Sequence, residues 1–298
     1  MKLKSIISFS LMLVCCNATN AQQIFTINQF TQHNFLFNPA AAGANDEASV
    51  GAAYRKMWSG IDGGPQTTIL YGDKYFAKKK VGVAVALYDD KTGPTSRAGG
   101  QVNLSYSIEM KEGRRLMFGL AGTLLQYKLD KAALAAYIDD PLIAAASENT
   151  MKGDAAAGIY YKSPTLNFGV SVQQLVQAKF NYIKTARNPE GKLYRHIYFA
   201  GHYNWKVDES NVVVPNGFVQ YQPNAPVDFS FGARLEHMDM FWVGGSYHYQ
   251  QGFSAIAGVK IANKFAIGYG YDQYNAPLSL FDDGGGAHEI SIRYYFKK

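Results

Sequence analysis

The stretch AHEISIRYYF, residues 287–296, decides the fold. Its residues alternate between two sets. One set is mostly apolar: His288, Ile290, Ile292, Tyr294 and Phe296. The other set includes a carboxylate and a guanidinium: Glu289, Ser291, Arg293 and Tyr295. A period of two over this length predicts a β-strand with one apolar face, which must be covered by either a protein core or lipid.

The same alternation recurs along most of the chain and predicts about fourteen strands. Strands of nine or more residues suit a tilted membrane crossing, which needs about 9–11 residues, better than a soluble sheet, where about 5–6 residues are typical. An even number is also expected of a single-chain bacterial outer-membrane barrel. The predicted strands are 48–57, 65–76, 81–90, 97–110, 115–130, 151–163, 165–177, 195–207, 211–222, 227–237, 240–251, 252–262, 264–275 and 287–296.

The connections between these strands differ between the two ends of the predicted sheet. The even-numbered connections are short: 77–80, 111–114, 163–164, 208–210, 237–239 and 263. The odd-numbered ones include every long segment: 59–64, 91–96, 131–150, 178–194 and 276–286, alongside short ones near 223–226 and 251–252. Short periplasmic turns opposite long external loops are typical of outer-membrane barrels. The fold class predicted is therefore all-β, a transmembrane antiparallel β-barrel of outer-membrane type. The alternative is a soluble all-β protein with unusually long strands.

In a barrel, the apolar face of residues 287–296 meets lipid and the opposite face points into the lumen. Six charged residues on neighbouring strands are then predicted to form a lumen charge network: Asp228, Arg234, Glu236, Asp272, Glu289 and Arg293. Their signs are mixed, whereas a conducting pore would show an excess of one sign along its path. This mixture favours a filled or plugged interior.

The first residues, MKLKSIISFSLMLVCCNATNA, have the pattern of a secretory signal peptide over 1–21. Both cysteines, Cys15 and Cys16, leave with it, so the exported chain does not depend on disulfides; lipidation of Cys16 is the rival interpretation. Residues 22–47 precede the first strand. They are predicted either to plug the lumen or to lie on the periplasmic mouth as a docking segment, ahead of a barrel over 48–298.

Composition and motifs argue against chemistry in this chain. The net charge of +6 over 298 residues is modest, and the basic tract KKK at 78–80 is not a nucleic-acid footprint. The six histidines form no His-Glu-x-x-His pair, and the sequence has no Gly-x-Ser-x-Gly elbow. His196 and His202 are expected to line the lumen. We predict no enzymatic activity, no cofactor, no metal site and no nucleic-acid partner.

Several motifs occur in order across nearly the whole exported chain: NQFTQHNFLFNPAAAG (28–43), YRKMWSGIDGGPQTTIL (54–70), DDKTGP (89–94), LMFGLAG (116–122), IGYGYDQY (267–274) and GAHEISIRYYF (286–296). Together they resemble the PorP/SprF family of the Bacteroidetes type IX secretion system. The resemblance implies an integral outer-membrane protein, in contact with outer-membrane lipid, that works with the secretion and gliding apparatus. It implies three partners: a secreted adhesin that the protein helps to export or anchor, the translocon, and the periplasmic ring.

The motifs also supply the candidate partner-binding residues: Asn38, Pro39, Gly43, Trp58, Asp62 and Pro65. For FNPAAAG the alternative is a segment that merely seals the barrel, and for WSGIDGGP it is a structural turn. The external loops 131–150, 178–194 and 276–286 are expected to face the adhesin or the translocon. The family is similar in architecture to fatty-acid-transporter-like barrels, so an outer-membrane channel for small hydrophobic molecules is the alternative function.

Overall fold

The structure is a computed structural model that describes residues 27–28, 30–135, 149–180, 191–223, 225–281 and 284–296. The predicted signal peptide, and parts of the predicted external loops, lie outside these residues. Seventeen strands are assigned within them: β1 Ala48–Lys56, β2 Gln66–Phe76, β3 Val81–Thr92, β4 Thr95–Glu109, β5 Arg115–Leu129, β6 Asn149–Lys162, β7 Leu166–Gln173, β8 Lys179–Phe180, β9 Gly191–Lys192, β10 His196–Tyr203, β11 Trp205–Lys206, β12 Asn211–Tyr221, β13 Asp228–His237, β14 Phe241–His248, β15 Gly252–Ile261, β16 Phe265–Tyr274 and β17 Ala287–Phe296.

Fourteen long strands of the described chain form one closed antiparallel barrel. Each pairs with its neighbour in sequence, and the sheet closes where β17 pairs with β1. The short strand β11 continues β10 and pairs with β12, while β8 and β9 form a separate hairpin. Closure pairs both edges of the fourteen-stranded sheet, which is what a sheet surrounded by lipid requires. The predicted fold class is thus confirmed.

The alternation in β17 places its two faces as expected. Ile290 and Ile292 are 48% and 50% exposed on the outside, whereas Glu289 and Arg293 are 1% and 4% exposed on the inside. The same arrangement recurs around the barrel, so that the outer surface carries a broad band of exposed aliphatic and aromatic side chains. Such a band is expected of a surface that faces lipid.

The connections define two ends of the barrel. At the turn end, short turns join β2 to β3, β4 to β5, β6 to β7, β13 to β14 and β15 to β16. At the loop end lie the connection 57–65 and the described residues 130–135, 174–180, 191–195, 275–281 and 284–286, together with shorter connections. Residues 91–96 were predicted to be a long connection, and this is wrong: β3 and β4 extend through them, so that only Gly93 and Pro94 join the two strands.

Two predicted strand ends also differ from the structure. The strand predicted over 165–177 ends at Gln173, because Gln174 and Gln177 adopt left-handed backbone angles, with φ values of 58° and 55°. The carboxylate of Asp154 accepts hydrogen bonds from the backbone N–H groups of Val176 (2.9 Å) and Ala178 (3.4 Å) and holds the chain away from the sheet. The strand predicted over 240–251 ends at His248, just before Gln250, whose φ is 59°.

The core of the molecule is the barrel interior, which is occupied by the described residues of the stretch 27–44 (27–28 and 30–44), named here the inner segment. Its buried apolar residues pack against inward-facing side chains of the wall: Ile69, Tyr71, Ala84, Ala86, Met117, Tyr160 and Tyr198. The inner segment contains three short 3-10 turns, Phe30–Gln32, Asn34–Leu36 and Pro39–Ala41. It leaves the lumen at the turn end and continues directly into β1. The described residues contain no helix long and apolar enough to cross a membrane.

Candidate functional site

The inner segment fits the wall because glycines face it. A β-carbon at Gly82, Gly119 or Gly158 would overlap backbone or side-chain atoms of the inner segment. These glycines lie on β3, β5 and β6, so together they form a smooth groove along the wall. Only the absence of side chains lets two backbones approach so closely. The groove receives the stretch from Asn38 to Ala42.

The side chain of Asn38 hydrogen-bonds directly to the wall beside this groove. Its amide nitrogen donates to the backbone carbonyl oxygens of Ile159 at 3.0 Å and Val170 at 3.4 Å. Its side-chain oxygen accepts from the N–H of Ala40 at 3.0 Å and thereby caps the following 3-10 turn. The following proline favours the extended backbone that Asn38 adopts. One side chain therefore both shapes the segment and bonds it to the wall.

The backbone on either side of this turn is also held by wall side chains. The hydroxyl of Ser171 and the amide of Gln173 both donate to the carbonyl oxygen of Phe37 at 2.7 Å. Further along, the N–H of Gly43 donates to the Asp73 carboxylate at 2.6 Å. The φ of Gly43 is +68°, a conformation that glycine adopts without strain. These buried hydrogen bonds fix the path of the chain across the lumen.

At the turn end, a charged latch formed by Asp46, Arg115 and Lys162 holds the exit of the inner segment. The Asp46 carboxylate accepts from Arg115 at 2.9 Å and from Lys162 at 3.1 Å. Both cations also donate to the carbonyl oxygen of Ala44. Partial burial pushes the pKa of Asp46 upward, but the charges of Lys162 and Arg115 outweigh it and hold the pKa below its usual value.

In the loop half of the lumen, a second cluster centres on Arg55. Its guanidinium pairs with Asp272 and, at 3.3 Å, with Glu289. The inner segment joins this cluster through Asn28, whose backbone N–H donates to Glu289 at 2.8 Å and whose side chain donates to Asp272. All three charged side chains are at most 9% exposed, and burial without a partner would be costly.

The structure brings only some of the six predicted lumen charges together. Asp272 and Glu289 share Arg55, while Arg234 pairs with Glu236 and also donates to Thr31 of the inner segment at 3.0 Å. Asp228 lies closer to the loop end than Arg234 and Glu236 on the same strand, and it lines a small cavity.

Arg293 contacts the inner segment. Its guanidinium donates to the carbonyl oxygen of Gln32 and, at 2.9 Å, to the Nδ1 atom of His33. It also donates to the hydroxyl of Tyr71 at 3.2 Å. Because a guanidinium has no acceptor, the Nδ1 atom of His33 accepts the hydrogen bond from Arg293.

Sequence reasoning did not identify Arg55, Asp46, Arg115 or Lys162. Arg55 occupies an inward position in the alternation of β1, so periodicity alone would have marked it as a lumen residue. Arg115 and Lys162 occupy the first and last positions of β5 and β6, where strand patterns do not distinguish a lumen residue from a turn residue. No local signal connects either of them to Asp46.

The predicted partner-binding residues fall into two separate places. Asn38 and Pro39 are enclosed by the wall in the middle of the chain's path through the lumen, and Gly43 is enclosed near the exit of the segment at the turn end. Trp58, Asp62 and Pro65 lie in the connection between β1 and β2 at the loop end, where Asp62 is exposed.

The β1–β2 connection is hydrogen-bonded to other loops. The hydroxyl of Ser59 donates to the carbonyl oxygen of Gly285 at 2.5 Å, and its N–H donates to that of Gly286 at 3.0 Å. The carbonyl oxygen of Gly63 accepts from the N–H of Gly93 at 2.9 Å. These hydrogen bonds tie three loops of the loop end into one surface.

Two cavities flank the inner segment. The one in the loop half has a volume of about 40 Å³ and is lined by Phe37, Phe218 and Phe253 among others. The other, named here the turn-end vestibule, has a volume of about 470 Å³. Its walls include Lys162, Asn167, His202, Arg234, Trp242 and Lys260. Within the described residues, no group of three or more His, Cys, Asp or Glu side chains is placed to hold a metal ion.

Comparison with known proteins agrees with this architecture. A family model described as type IX secretion system membrane protein PorP/SprF matches residues 19–294. No curated protein matches the sequence.

Solved structures with a similar fold are outer-membrane barrels. The monoaromatic hydrocarbon channel CymD aligns over 93% of this chain and 95% of its own, with a TM-score of 0.54 and 10% identity. The outer membrane protein Omp33 of Acinetobacter baumannii aligns over 85% of this chain and 100% of its own, with a TM-score of 0.50 and 10% identity. At this identity the likeness concerns the fold alone.

Proposed function

Because the chain belongs to the PorP/SprF family of type IX secretion system membrane proteins, we propose that it helps to export or anchor a partner secreted adhesin at the cell surface. In this role the barrel is a non-enzymatic component of the outer membrane that supports secretion and gliding. It acts through contacts with other proteins rather than through passage of a solute.

The filled lumen is the observation that carries this proposal. The inner segment is bonded to the wall by Asn38, Ser171 and Gln173 in its middle and by the charged latch at its exit. A rigid, occupied interior suits a platform that holds partners at its two ends. Buried hydrogen-bonded networks of this kind rigidify the structure that contains them.

The two ends of the barrel suit different partners. We propose that the loop end faces the cell exterior and contacts the adhesin or the translocon through 131–150, 178–194 and 276–286. The β1–β2 connection, with Trp58, Asp62 and Pro65, belongs to the same surface because backbone hydrogen bonds tie it to the last loop. The turn end faces the periplasm and the ring components. Asn38, Pro39 and Gly43 then support partner binding indirectly, by holding the inner segment.

The alternative function is a channel for small hydrophobic molecules. Its support is the shared fold with CymD, which is a monoaromatic hydrocarbon channel. Fold alone does not decide function. Against it stands the loop-half cavity of about 40 Å³, which is well below the roughly 300–1,000 Å³ typical of ligand pockets.

The test is deletion of the gene in its native host, followed by measurement of surface-exposed adhesin with antibodies and of proteins that co-purify with a tagged barrel. Loss of a surface adhesin, together with recovery of secretion components, is expected. Complementation with Asp62→Ala tests the loop surface, and complementation with Asp208→Ala, at an exposed turn-end position, tests the opposite surface. Unchanged surface adhesin combined with reduced uptake of a radiolabelled monoaromatic compound would favour the channel instead.

A further inference from the structure

Two neighbouring turns at the turn end share a basic surface, named here the basic patch. Its members are exposed cations of the β2–β3 and β4–β5 hairpins: Lys74, Lys78, Lys79, Lys80, Lys111 and Arg114. The two turns are joined directly. The N–H of Ser107 donates to the carbonyl oxygen of Lys80 at 2.8 Å, and the Lys80 side chain pairs with Glu109 at 3.3 Å. The six cations therefore belong to one continuous surface.

Acidic side chains neutralise only two of these cations. Lys80 pairs with Glu109, and Arg114 pairs with Glu112. The other four cations make no ion pair within the described part of the chain: Lys74, Lys78, Lys79 and Lys111. Six exposed cations against two exposed carboxylates leave the patch with four surplus positive charges.

The turns on the other side of the turn end do not share this surplus. Lys206 is followed by two exposed acids, Asp208 and Glu209, in the connection that leads to β12. In the turn from β13 to β14, Asp239 pairs with Lys260 of β15 at 2.8 Å. The surplus positive charge of the turn end is thus concentrated on the side of the barrel formed by β2 to β5.

An aromatic row on the outer surface lies next to the patch. Phe76 is paired in register with Val81, which is paired with Tyr106. Tyr106 is in turn paired with Phe118, and all three aromatic side chains are exposed. Paired residues of antiparallel strands share a face, and aromatic residues on the outside of a barrel mark the membrane–water interface. The cations of the two turns lie just beyond this row, at the level of the lipid headgroups.

Lys74 shows how the patch meets the membrane. It belongs to the outward-facing set of β2, with Leu70 and Phe76, and lies farther from the turn than Phe76. Its Nζ atom is 5.0 Å from the centroid of the Phe76 ring, so the side chain runs along the wall toward the turn end. Lysines on an apolar surface extend in this way to bring the ammonium group to a polar layer. A cation on the lipid-facing surface favours a lipid headgroup over a soluble acidic protein as the ligand.

We propose that the basic patch binds the phosphate headgroups of anionic phospholipids in the leaflet at the turn end of the barrel. Lysine side chains near a membrane surface attract anionic lipids, and the attraction falls off within a Debye length of about 8–10 Å. Lys78, Lys79 and Lys111 approach the headgroups from the aqueous side, while Lys74 approaches them along the wall. The barrel thereby gathers anionic lipid on one of its sides. This inference depends on the membrane-embedded fold and not on the role in adhesin display.

The test uses the purified full-length barrel in nanodiscs that contain equal amounts of phosphatidylglycerol and phosphatidylcholine with identical acyl chains. Native mass spectrometry counts the lipids that stay bound when the protein is released. The wild type is expected to retain about three-fold more phosphatidylglycerol than phosphatidylcholine. The patch variant, with Lys74, Lys78, Lys79 and Lys111 each changed to glutamine, is expected to retain the two lipids about equally. Equal retention by the wild type, or an unchanged preference in the patch variant, would overturn the proposal.

A control variant removes the same charge elsewhere. It changes four exposed lysines outside the patch to glutamine: Lys91, Lys128, Lys206 and Lys264. Its preference for phosphatidylglycerol is expected to match that of the wild type. A loss as large as in the patch variant would show that total charge, rather than the patch, attracts the lipid, and would overturn the proposal. All eight substitutions are at exposed positions, and a heat-dependent shift in gel mobility checks that each barrel is folded.

A soluble acidic probe separates the lipid from a protein ligand. Octaglutamate is titrated into the wild type and the patch variant in detergent, with binding measured by calorimetry. Weak binding that does not differ between the two proteins is expected. Binding that only the wild type shows, without a preference for phosphatidylglycerol, would assign the patch to an acidic protein partner and overturn the proposal. Because these assays contain no secretion machinery, such a failure leaves the role in adhesin display untouched.

Discussion

Gly158 of β6 lies so close to Asn38 that a β-carbon there would overlap the Asn38 side-chain oxygen. Gly119 of β5 stands in the same relation to the backbone of Ala40. The inner segment therefore packs so closely against the wall that neither glycine position has room for one more carbon atom. This fit distinguishes a structural part of the barrel from a tail that happens to occupy its lumen.

Replacing Gly119 with alanine is expected to destabilise the barrel by about 1–3 kcal/mol, since the added methyl group must displace the inner segment or the strand. The measurement is the free energy of unfolding from urea titration of the barrel in lipid vesicles. Cleavage of the inner segment by chymotrypsin, at Phe35 or Phe37, should also accelerate. Gly122→Ala is the control, because a β-carbon at Gly122, on the same strand, meets nothing within 4 Å. Equal stability of the two variants would contradict a tightly seated segment.

Substitutions of Asn38 separate its hydrogen bonds to the wall from its cap on the N–H of Ala40. Asn38→Ala removes the donor to Ile159 and Val170 as well as the cap on Ala40, and is expected to cost about 1–3 kcal/mol. Asn38→Asp keeps an acceptor for Ala40 but places a carboxylate beside two carbonyl oxygens. It should therefore be the more destabilising of the two, because a buried charge without a donor is costly. Urea titration measures both, and an aspartate variant as stable as the wild type would show that the wall hydrogen bonds are dispensable.

The fold could be predicted from the sequence because its cause is local. Alternation such as that of residues 287–296 reports which side of each strand is dry, and lipid imposes that pattern on all fourteen strands. Where the alternation fades, the prediction fails: at Gln174 the chain leaves the sheet because of a backbone turn stabilised by Asp154, a residue distant in sequence. At 91–96 the turn-forming residues predicted a long connection, whereas the structure has a two-residue hairpin turn there.

The candidate site was predictable only in part. The inward position of Arg293 followed from period two, but its bond to His33 joins residues at opposite ends of the chain. Likewise, the motif FNPAAAG marked a special segment without revealing what Asn38 touches. These contacts depend on how the inner segment crosses the closed barrel, and no spacing in the sequence encodes that path.

The charged latch predicts a dependence on pH. The pKa of Asp46 is lower in the folded protein than its usual value near 4, so folding favours the ionised form. The stabilisation is fully present above that usual value and is lost as the pH falls through the lower, folded pKa. Asp46→Asn should therefore cost about 1 kcal/mol or less at pH 7, since the side chain is largely solvated, and the difference from wild type should vanish in stronger acid. Urea titrations at pH 7, 5 and 3 measure it, and a difference that persists unchanged at pH 3 would assign the effect to something other than this carboxylate.

The occupied lumen predicts that the barrel does not conduct ions steadily. The inner segment lies between the loop-half cavity and the turn-end vestibule and contributes residues to both. In planar lipid bilayers the wild-type protein is expected to show no stable large conductance, and the double variant Asn38→Ala with Asp46→Asn should show more frequent openings, because it loses bonds at the middle and the exit of the segment. Gly122→Ala should remain closed like the wild type. A wild-type barrel that conducts steadily at the level of an open porin would show that the segment leaves a continuous water path, and the platform role proposed from the filled interior would lose its main support.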